Sequence, residues 1–178
     1  MYRSAADPWA FETAPYERGR FAHIQSFLAN ETFEEAFEPG CSEGVLTELL
    51  APSCSRLLAI DPAPTAVARA AARCAHLPNV DVRRGMLPDD IPSREFDLVV
   101  FSELGYYFSE KELRDVVDRL VGRTRAGGLW VSCHWTGTSP DHILTGQRVT
   151  EIVCAHEVLA ARALEQRPGY ILATLHRR

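Results

Sequence analysis

The chain has 178 residues, of which 46% are hydrophobic, and its formal net charge is −5. This length and composition predict a single domain, residues 1–178, with a proper core. Its 19 basic residues are scattered apart from two short pairs, so a nucleic-acid-binding surface is not expected. No apolar run approaches the length of a membrane span, and the five cysteines lack CxxC spacing. We therefore predict a cytoplasmic chain that does not bind a membrane.

Helix and strand patterns alternate through the first half of the chain. Phe21, Ile24 and Leu28 recur at helical spacing and predict a helix over residues 16–28. Residues 1–30, which include this helix, are predicted to form an N-terminal lid segment. The later patterns predict a strand over 33–38, a helix over 44–50, a strand over 57–60, a helix over 64–74 and a strand over 80–84.

The second half continues the alternation and ends in a hairpin. A strand over 96–101 is apolar apart from Asp97, as expected of a central parallel strand. Ser109 and Glu112 predict a capping box for a helix that runs to about residue 124 and stops at Gly127-Gly128. The remaining patterns predict a strand over 129–135, a helix over 141–154 and hairpin strands over 158–164 and 170–175. The fold class is therefore α/β, a doubly wound, mostly parallel Rossmann-like sheet with a C-terminal antiparallel hairpin.

The most informative segment is 36–44, where a strand enters a small-residue turn and then a helix. Gly40 and Gly44 allow the backbone to approach a ligand closely, because glycine has no Cβ. Asp61 follows the next apolar run, and an acid at that place can accept both hydroxyls of a ribose. The segment therefore predicts a site for a nucleoside cofactor.

Two established patterns compete for this turn. The dinucleotide fingerprint requires three glycines, and the chain offers Gly40, Ser42 and Val45 at those places. The nucleophile elbow of serine hydrolases, G-x-S-x-G, matches letter for letter, with Ser42 as the nucleophile. Asp97 and His134 follow in the order that a hydrolase triad needs. The hydrolase remains an alternative, although an elbow normally follows several earlier strands.

A third interpretation uses more of the observed residues. In an S-adenosylmethionine loop, Glu38 closes the first strand, the turn from Gly40 to Gly44 passes under the methionine and ribose, and Asp61 binds the ribose. Neither rival explains these four residues together, and we prefer this interpretation. A nucleoside-binding module without catalysis is a further alternative.

The run EPGCSEGVLT at residues 38–47 resembles the first motif of class I S-adenosylmethionine-dependent methyltransferases, and more narrowly that of the nodulation protein S (NodS)-like group. The likeness extends through residues 7–9, 16–17, 59–61, 96–103, 105–107, 134–135 and 144–146. It implies S-adenosyl-L-methionine as cofactor and S-adenosyl-L-homocysteine as product. It also implies N-methylation of a small molecule, since nodulation-type members methylate an amino sugar at the end of a chitooligosaccharide.

One position departs from the family pattern. Where the family usually has an acid for the adenine amino group, this chain has Gly85-Met86. Met86 could pack on the adenine face, with the backbones of Met86 and Leu87 at the ring edge, or it could simply fill a gap in the core. Arg20 could pair with the methionine carboxylate. The cofactor site is predicted to comprise Trp9, Arg20, Glu38, Gly40, Cys41, Ser42, Gly44, Asp61, Met86, Leu87 and Ser102.

Methyl transfer needs few protein groups beyond those that align and deprotonate the nucleophile. Glu103 and His134 lie at the carboxyl ends of two predicted strands and are the candidate catalytic residues. A solvated loop acid and a structural histidine are their alternatives. The acceptor is predicted to contact Tyr16, Tyr106, Tyr107 and Trp135. No metal is expected, because the histidines and cysteines lack zinc-ligand spacing, and the oligomeric state stays open.

Overall fold

The computed structural model describes residues 14–178, which form two compact units divided after Met86. The first unit contains α1 (Pro15–Leu28), β1 (Phe33–Pro39), α2 (Val45–Leu50), β2 (Cys54–Asp61), α3 (Pro64–Arg73) and β3 (Val80–Arg84). The second contains β4 (Phe96–Ser102), α4 (Glu110–Val121), β5 (Thr124–Trp135), α5 (Gly146–Cys154), β6 (Leu159–Arg167) and β7 (Tyr170–Arg177). That the chain is a single domain stays a prediction.

The strands form a seven-stranded sheet in the order β3-β2-β1-β4-β5-β7-β6. Parallel pairing joins β1 to β2, β2 to β3 and β4 to β5, whereas β7 pairs antiparallel with both β5 and β6. The predicted fold class, a mostly parallel α/β sheet with a C-terminal antiparallel hairpin, is confirmed.

The first unit is built on the periodicities of its sequence. Helix α1 buries Phe21, Ile24 and Leu28, the three residues of the predicted stripe. Strand β1 is buried at every position except Glu34, as expected of a strand with neighbours that cover its faces. The helix after the glycine turn, α2, begins one residue later than predicted, at Val45.

In the second unit the capping box at the start of α4 is confirmed. The Glu112 amide donates to the Ser109 hydroxyl at 3.4 Å, and the Glu112 carboxylate accepts from the Ser109 amide at 2.9 Å. Both orphan donors of the first turn are thereby satisfied. The closing hairpin forms around Pro168 and Gly169, with Arg167 paired to Tyr170.

Two predicted boundaries in this unit are wrong. Helix α4 ends at Val121, and Gly127-Gly128 lie inside β5 instead of stopping the helix. The β4–β5 register shifts between Phe96 and Leu98, so this part of β5 bulges, and Gly127 takes a φ of 76° there. Helix α5 begins only at Gly146, because Thr145 caps it by accepting from the Arg148 amide at 3.1 Å.

Among the described residues, no helix combines the length and apolar character that a membrane crossing requires.

Candidate functional site

The glycine turn after β1 has the backbone geometry that the sequence predicted. Gly40 and Gly44 have φ values of 78° and 79°, and Ser42 between them has a φ of 50°. A Cβ at Gly44 would lie 2.9 Å from the Cβ of Ala70 in α3. Any larger residue at 44 would therefore strain the backbone and push α3 away.

Backbone amides of the turn are used to hold it against β2. The amides of Gly40 and Cys41 both donate to the carbonyl oxygen of Ile60, at 2.7 and 3.0 Å, and the Gly44 amide donates to the Cys41 carbonyl at 2.9 Å. These amides fix the turn itself and are not directed at a ligand. What the turn offers a ligand is a close approach of backbone without side chains.

Asp61, at the tip of β2, is tied to the same turn. Its Oδ2 accepts from the Ser42 amide at 3.0 Å, and its Oδ1 accepts from the Ala63 amide at 2.9 Å. The side chain is buried, which raises the pKa of its carboxyl against the lowering effect of these two bonds. Each carboxylate oxygen can accept a second hydrogen bond. A fixed pair of acceptors suits the two hydroxyl donors of a vicinal diol, so the Asp61 carboxylate fits a ribose.

Glu38, at the end of β1, is buried and bonded to a residue that sequence reasoning missed. Thr47 in α2 donates its hydroxyl to Oε2 of Glu38 at 2.6 Å. Burial raises the pKa of Glu38 to about 8; the Thr47 bond lowers it and the charge of Asp61 raises it further. Glu38 is therefore mainly protonated at neutral pH. Thr47 lies within the motif 38–47, but its contact with Glu38 depends on how α2 folds back.

Cys41 belongs to the core by its side chain. It is buried in a cluster with Ala59 and Ala70, and burial raises the pKa of its thiol. A contact between Cys41 and the cofactor would therefore have to come from its backbone.

Helix α3 binds the glycine turn at Glu43, near the start of α2. Glu43 is buried and forms an ion pair with Arg69, 26 residues along the chain, and Arg73 donates to the Glu43 carbonyl oxygen at 3.1 Å. Sequence reasoning did not find these residues, since no local pattern links a turn to a helix that far away.

The other predicted cofactor residues differ in exposure. Arg20 is completely buried, and its Nε lies 3.1 Å from Oε2 of Glu17 in the same helix. Met86 is 56% exposed, whereas Leu87 and Ser102 are buried. Trp9 lies outside the described residues. The roles predicted for these five residues stay predictions.

In the second unit, Glu103 connects two segments that the sequence predicted to be functional. Its Oε2 accepts from the Tyr106 hydroxyl and its Oε1 from the Trp135 amide, both at 2.7 Å. Its backbone has a φ of 55°, which is unusual for a residue other than glycine. Such conformations persist only where the surrounding structure holds them in place, and they cluster at active sites. Glu103 is therefore a fixed carboxylate and not a mobile loop acid.

His134 is completely buried, and both of its ring nitrogens face a polar partner. Nε2 accepts from the Gly105 amide at 3.1 Å, so Nδ1 carries the proton and lies 3.3 Å from the Ser132 hydroxyl. A Cβ at Gly105 would collide with Val149 of α5. These contacts favour a structural role for His134, which fixes the 103–107 turn; a catalytic role stays a prediction.

An aromatic cluster completes this part of the site: Tyr106, Tyr107, Trp135 and His142. The His142 ring stacks on Tyr106 at 3.8 Å between centroids, and Tyr107 and Trp135 approach it edge-on at 5.4 and 5.9 Å. The sequence predicted the other three residues as acceptor contacts but gave no role to His142. Tyr16, the fourth predicted acceptor contact, lies on α1 in the first unit and is 37% exposed.

Within residues 14–178, no three or more His, Cys, Asp and Glu side chains are grouped in a way that could hold a metal ion.

Comparison with known proteins agrees with these features. The model of the family described as nodulation protein S (NodS) matches residues 3–161. The chain belongs to the NodS family. The predicted resemblance is thereby confirmed at the level of the family.

Curated members of the NodS family align with this chain over only part of their own length. Nodulation protein S of Rhizobium tropici is 38% identical over 133 residues, which are 70% of this chain and 53% of that protein. Nodulation protein S of Sinorhizobium fredii (strain NBRC 101917 / NGR234) is 31% identical over 127 residues, or 70% of this chain and 59% of that protein. The chain thus spans a little over half the length of the curated relatives it matches.

Solved structures of this fold include N-methyltransferase NodS from Bradyrhizobium japonicum WM9 in complex with S-adenosyl-L-homocysteine. It superposes with a TM-score of 0.86 at 26% identity, over 98% of this chain and 93% of that chain. The DhpI–S-adenosylhomocysteine complex superposes with a TM-score of 0.76 at 20% identity, over 99% and 93% of the two chains, and shows the fold alone.

Proposed function

We propose that this chain transfers a methyl group from S-adenosyl-L-methionine to the nitrogen of a small amine. The observation that carries the proposal is the buried Asp61 carboxylate, which amides of the glycine turn and of Ala63 hold at the tip of β2. The NodS structure bound to S-adenosyl-L-homocysteine supports it, because that N-methyltransferase shares the family and the fold.

Residues of the first unit would bind the cofactor. Asp61 would accept the two ribose hydroxyls, and the turn at Gly40 and Gly44 would allow close approach of the methionine part. Met86, the last residue of this unit, would contact the adenine, in place of the acid that the family usually has. When bound, the cofactor supplies a methyl group activated on a sulfonium. The protein then has to align the acceptor and remove water and a proton.

Residues of the second unit would bind the acceptor. Tyr106, Tyr107 and Trp135 provide flat apolar surfaces of the kind on which sugar rings stack, with a polar group at the edge of each. Glu103 fixes two of these residues through its carboxylate. An amino sugar, the acceptor class implied by family resemblance, presents both a ring for such surfaces and an amine to be methylated. Whether the acceptor is an amino sugar is the finer part of the proposal.

Replacing Asp61 tests the cofactor site directly. Asp61→Ala is expected to weaken binding of S-adenosyl-L-homocysteine by about 1–3 kcal/mol, because two ribose hydroxyls lose their acceptors. Titration calorimetry measures this, with NAD as a second ligand that should bind far more weakly to the wild type. Asp61→Asn keeps the shape and one acceptor, and thermal unfolding of both variants reports on the fold.

Asp115→Ala provides the matched control, since Asp115 is an exposed residue of α4 that pairs with Arg119 in the same helix. Its affinity for S-adenosyl-L-homocysteine should equal that of the wild type. Equal binding of NAD and S-adenosyl-L-homocysteine, or unchanged affinity in folded Asp61→Ala, would contradict the assignment.

Ser42 provides a test against the hydrolase alternative. Its amide donates to Asp61 and its φ is 50°, as expected of a turn residue. His134, the base that a Ser42 nucleophile would need, has its ring nitrogens bonded to Gly105 and Ser132. Ser42→Ala is therefore expected to keep methyl transfer within about tenfold of wild type, whereas loss of a nucleophile costs several orders of magnitude. Covalent labelling of Ser42 by a fluorophosphonate would favour the hydrolase instead.

A further inference from the structure

His142 and His134, both in the second unit, differ in how their ring nitrogens are bonded. The ring nitrogens of His134 both face a protein partner. In His142, by contrast, Nδ1 is buried and has no hydrogen-bond partner within the described residues. Buried polar atoms in folded proteins nearly always have a partner, so such an atom requires an explanation, and a catalytic role is one of the usual ones.

Backbone hydrogen bonds and a stacked aromatic ring fix the position of His142. The His142 amide donates to the Ser139 carbonyl at 3.1 Å, and the next two amides, of Ile143 and Leu144, both donate to the Tyr106 carbonyl at 2.8 and 3.2 Å. The ring itself stacks on Tyr106. The imidazole is therefore held in one orientation against the aromatic cluster before any ligand arrives, which is what a catalytic group needs.

The surroundings of His142 keep it in its neutral form. Burial lowers the pKa of His142 below the usual range, and the negative charge of Asp141 opposes this shift only in part. The Tyr106 and Tyr107 rings also contact the imidazole, and burial raises the pKa of the Tyr107 phenol. A neutral imidazole has one nitrogen that can accept a proton.

We propose that His142 is a catalytic residue of the methyl transfer and accepts a proton from the ammonium group of the acceptor. The N–H bond of the ammonium breaks, its electron pair stays on nitrogen, and the proton forms the new N–H bond on the imidazole. The neutral amine then forms the N–CH₃ bond while the S–CH₃ bond of the cofactor breaks and leaves a thioether. The imidazolium finally releases its proton to solvent. This inference rests on the proposed amine methylation.

Displacement of the Tyr107 ring would give the acceptor access to the imidazole of His142. It contacts His142 edge-on and is 44% exposed, so it can move aside at lower cost than Tyr106, which is buried and bonded to Glu103. The aromatic rings that remain would surround an ammonium group, a cation that aromatic faces attract.

The test compares two variants with one control. His142→Phe keeps a ring that can stack on Tyr106 and removes the nitrogens; His142→Gln serves if the Phe variant is unstable. His76→Gln is the control, because His76 is an exposed residue of the first unit. Turnover with glucosamine and with benzylamine is measured from pH 6 to pH 9.5, together with S-adenosyl-L-homocysteine affinity. In parallel, ¹⁵N spectra follow the His142 imidazole as glucosamine is added.

At pH 7 the His142 variants should turn over about 10²–10⁴-fold more slowly than wild type, as expected for loss of a general base, with cofactor affinity unchanged. The difference should shrink above the pKa of the amine, where the acceptor is already neutral, and His76→Gln should match wild type. A His142→Phe variant with wild-type turnover and pH profile overturns the inference. If the wild type methylates neither amine, the proposed function fails. The ¹⁵N titration then decides for His142: a shifted Nδ1 signal supports amine binding there, and an unchanged one overturns it.

Discussion

Replacing Glu103 with glutamine is expected to lower the turnover rate with an amine acceptor by about 10²–10⁴-fold and to leave the affinity for S-adenosyl-L-homocysteine nearly unchanged. The carboxylate accepts two hydrogen bonds at once, from the Tyr106 hydroxyl and the Trp135 amide. A glutamine side chain has only one oxygen, so one of these donors would face an NH₂ group instead. Tyr106 and Trp135 would shift, and with them the ring of His142.

The measurement separates turnover from binding. Steady-state kinetics give kcat and KM for the amine, calorimetry gives the cofactor affinity, and thermal unfolding shows whether the variant is folded. A drop in kcat at constant cofactor affinity is the result of misaligned chemistry, whereas a general loss of structure lowers both. Glu157→Gln is the matched control, because Glu157 is exposed in the turn between α5 and β6. If Glu103→Gln keeps turnover within a few-fold of wild type, Glu103 neither orients the cluster nor acts on the acceptor.

Glu38 is expected to make the stability of the protein fall as the pH rises from about 5 to about 8. In the unfolded chain this carboxyl titrates near 4.5, whereas in the folded chain burial raises its pKa to about 8. Between these two values the folded state holds a proton that the unfolded state has released, so raising the pH favours unfolding. Because one pKa unit corresponds to about 1.4 kcal/mol, the loss amounts to several kcal/mol and is complete above the folded pKa.

Glu38→Gln removes the ionisable group and keeps an oxygen that can accept from Thr47. Its free energy of unfolding, measured by urea denaturation, should therefore decrease much less from pH 5 to pH 9 than that of the wild type. The two proteins should differ least at pH 5, because Glu38 is protonated in the folded state there and the unfolded carboxyl has only just passed its pKa. Glu157→Gln should keep the wild-type slope. Parallel slopes for wild type and Glu38→Gln would show that Glu38 ionises normally in the folded state.

Much of the fold could be predicted from the sequence, because its local patterns agree with the final structure. The stripe on α1, the apolar run of β4 and the capping box of α4 each depend on residues close together in the chain. The end of α4 was predicted wrongly because Gly127-Gly128 look like a helix stop. They instead form the bulge of β5, which is visible only when β5 pairs with β4.

Some residues of the candidate site could likewise be predicted from the sequence, and others could not. Gly40, Gly44 and Asp61 could be found from the sequence, since the turn after β1 and the acid after β2 are local features with a known purpose. Thr47 and Arg69 could not be found, because their contacts with Glu38 and Glu43 need the helices to fold back onto the turn. The sequence also could not show that the Tyr106 hydroxyl and the Trp135 amide donate to the Glu103 carboxylate.

The sequence by itself determined the order of helices and strands, the glycine turn and the family, because periodicity, turn chemistry and a short motif act over a few residues. The tertiary structure alone decided which side chains of the second unit are fully bonded and which are not. His134 and His142 are both histidines near predicted functional segments, and nothing local distinguishes them. The His134 ring meets Gly105 and Ser132, whereas the buried Nδ1 of His142 has no hydrogen-bond partner among residues 14–178. Such contacts form between residues that the chain brings together only when it folds.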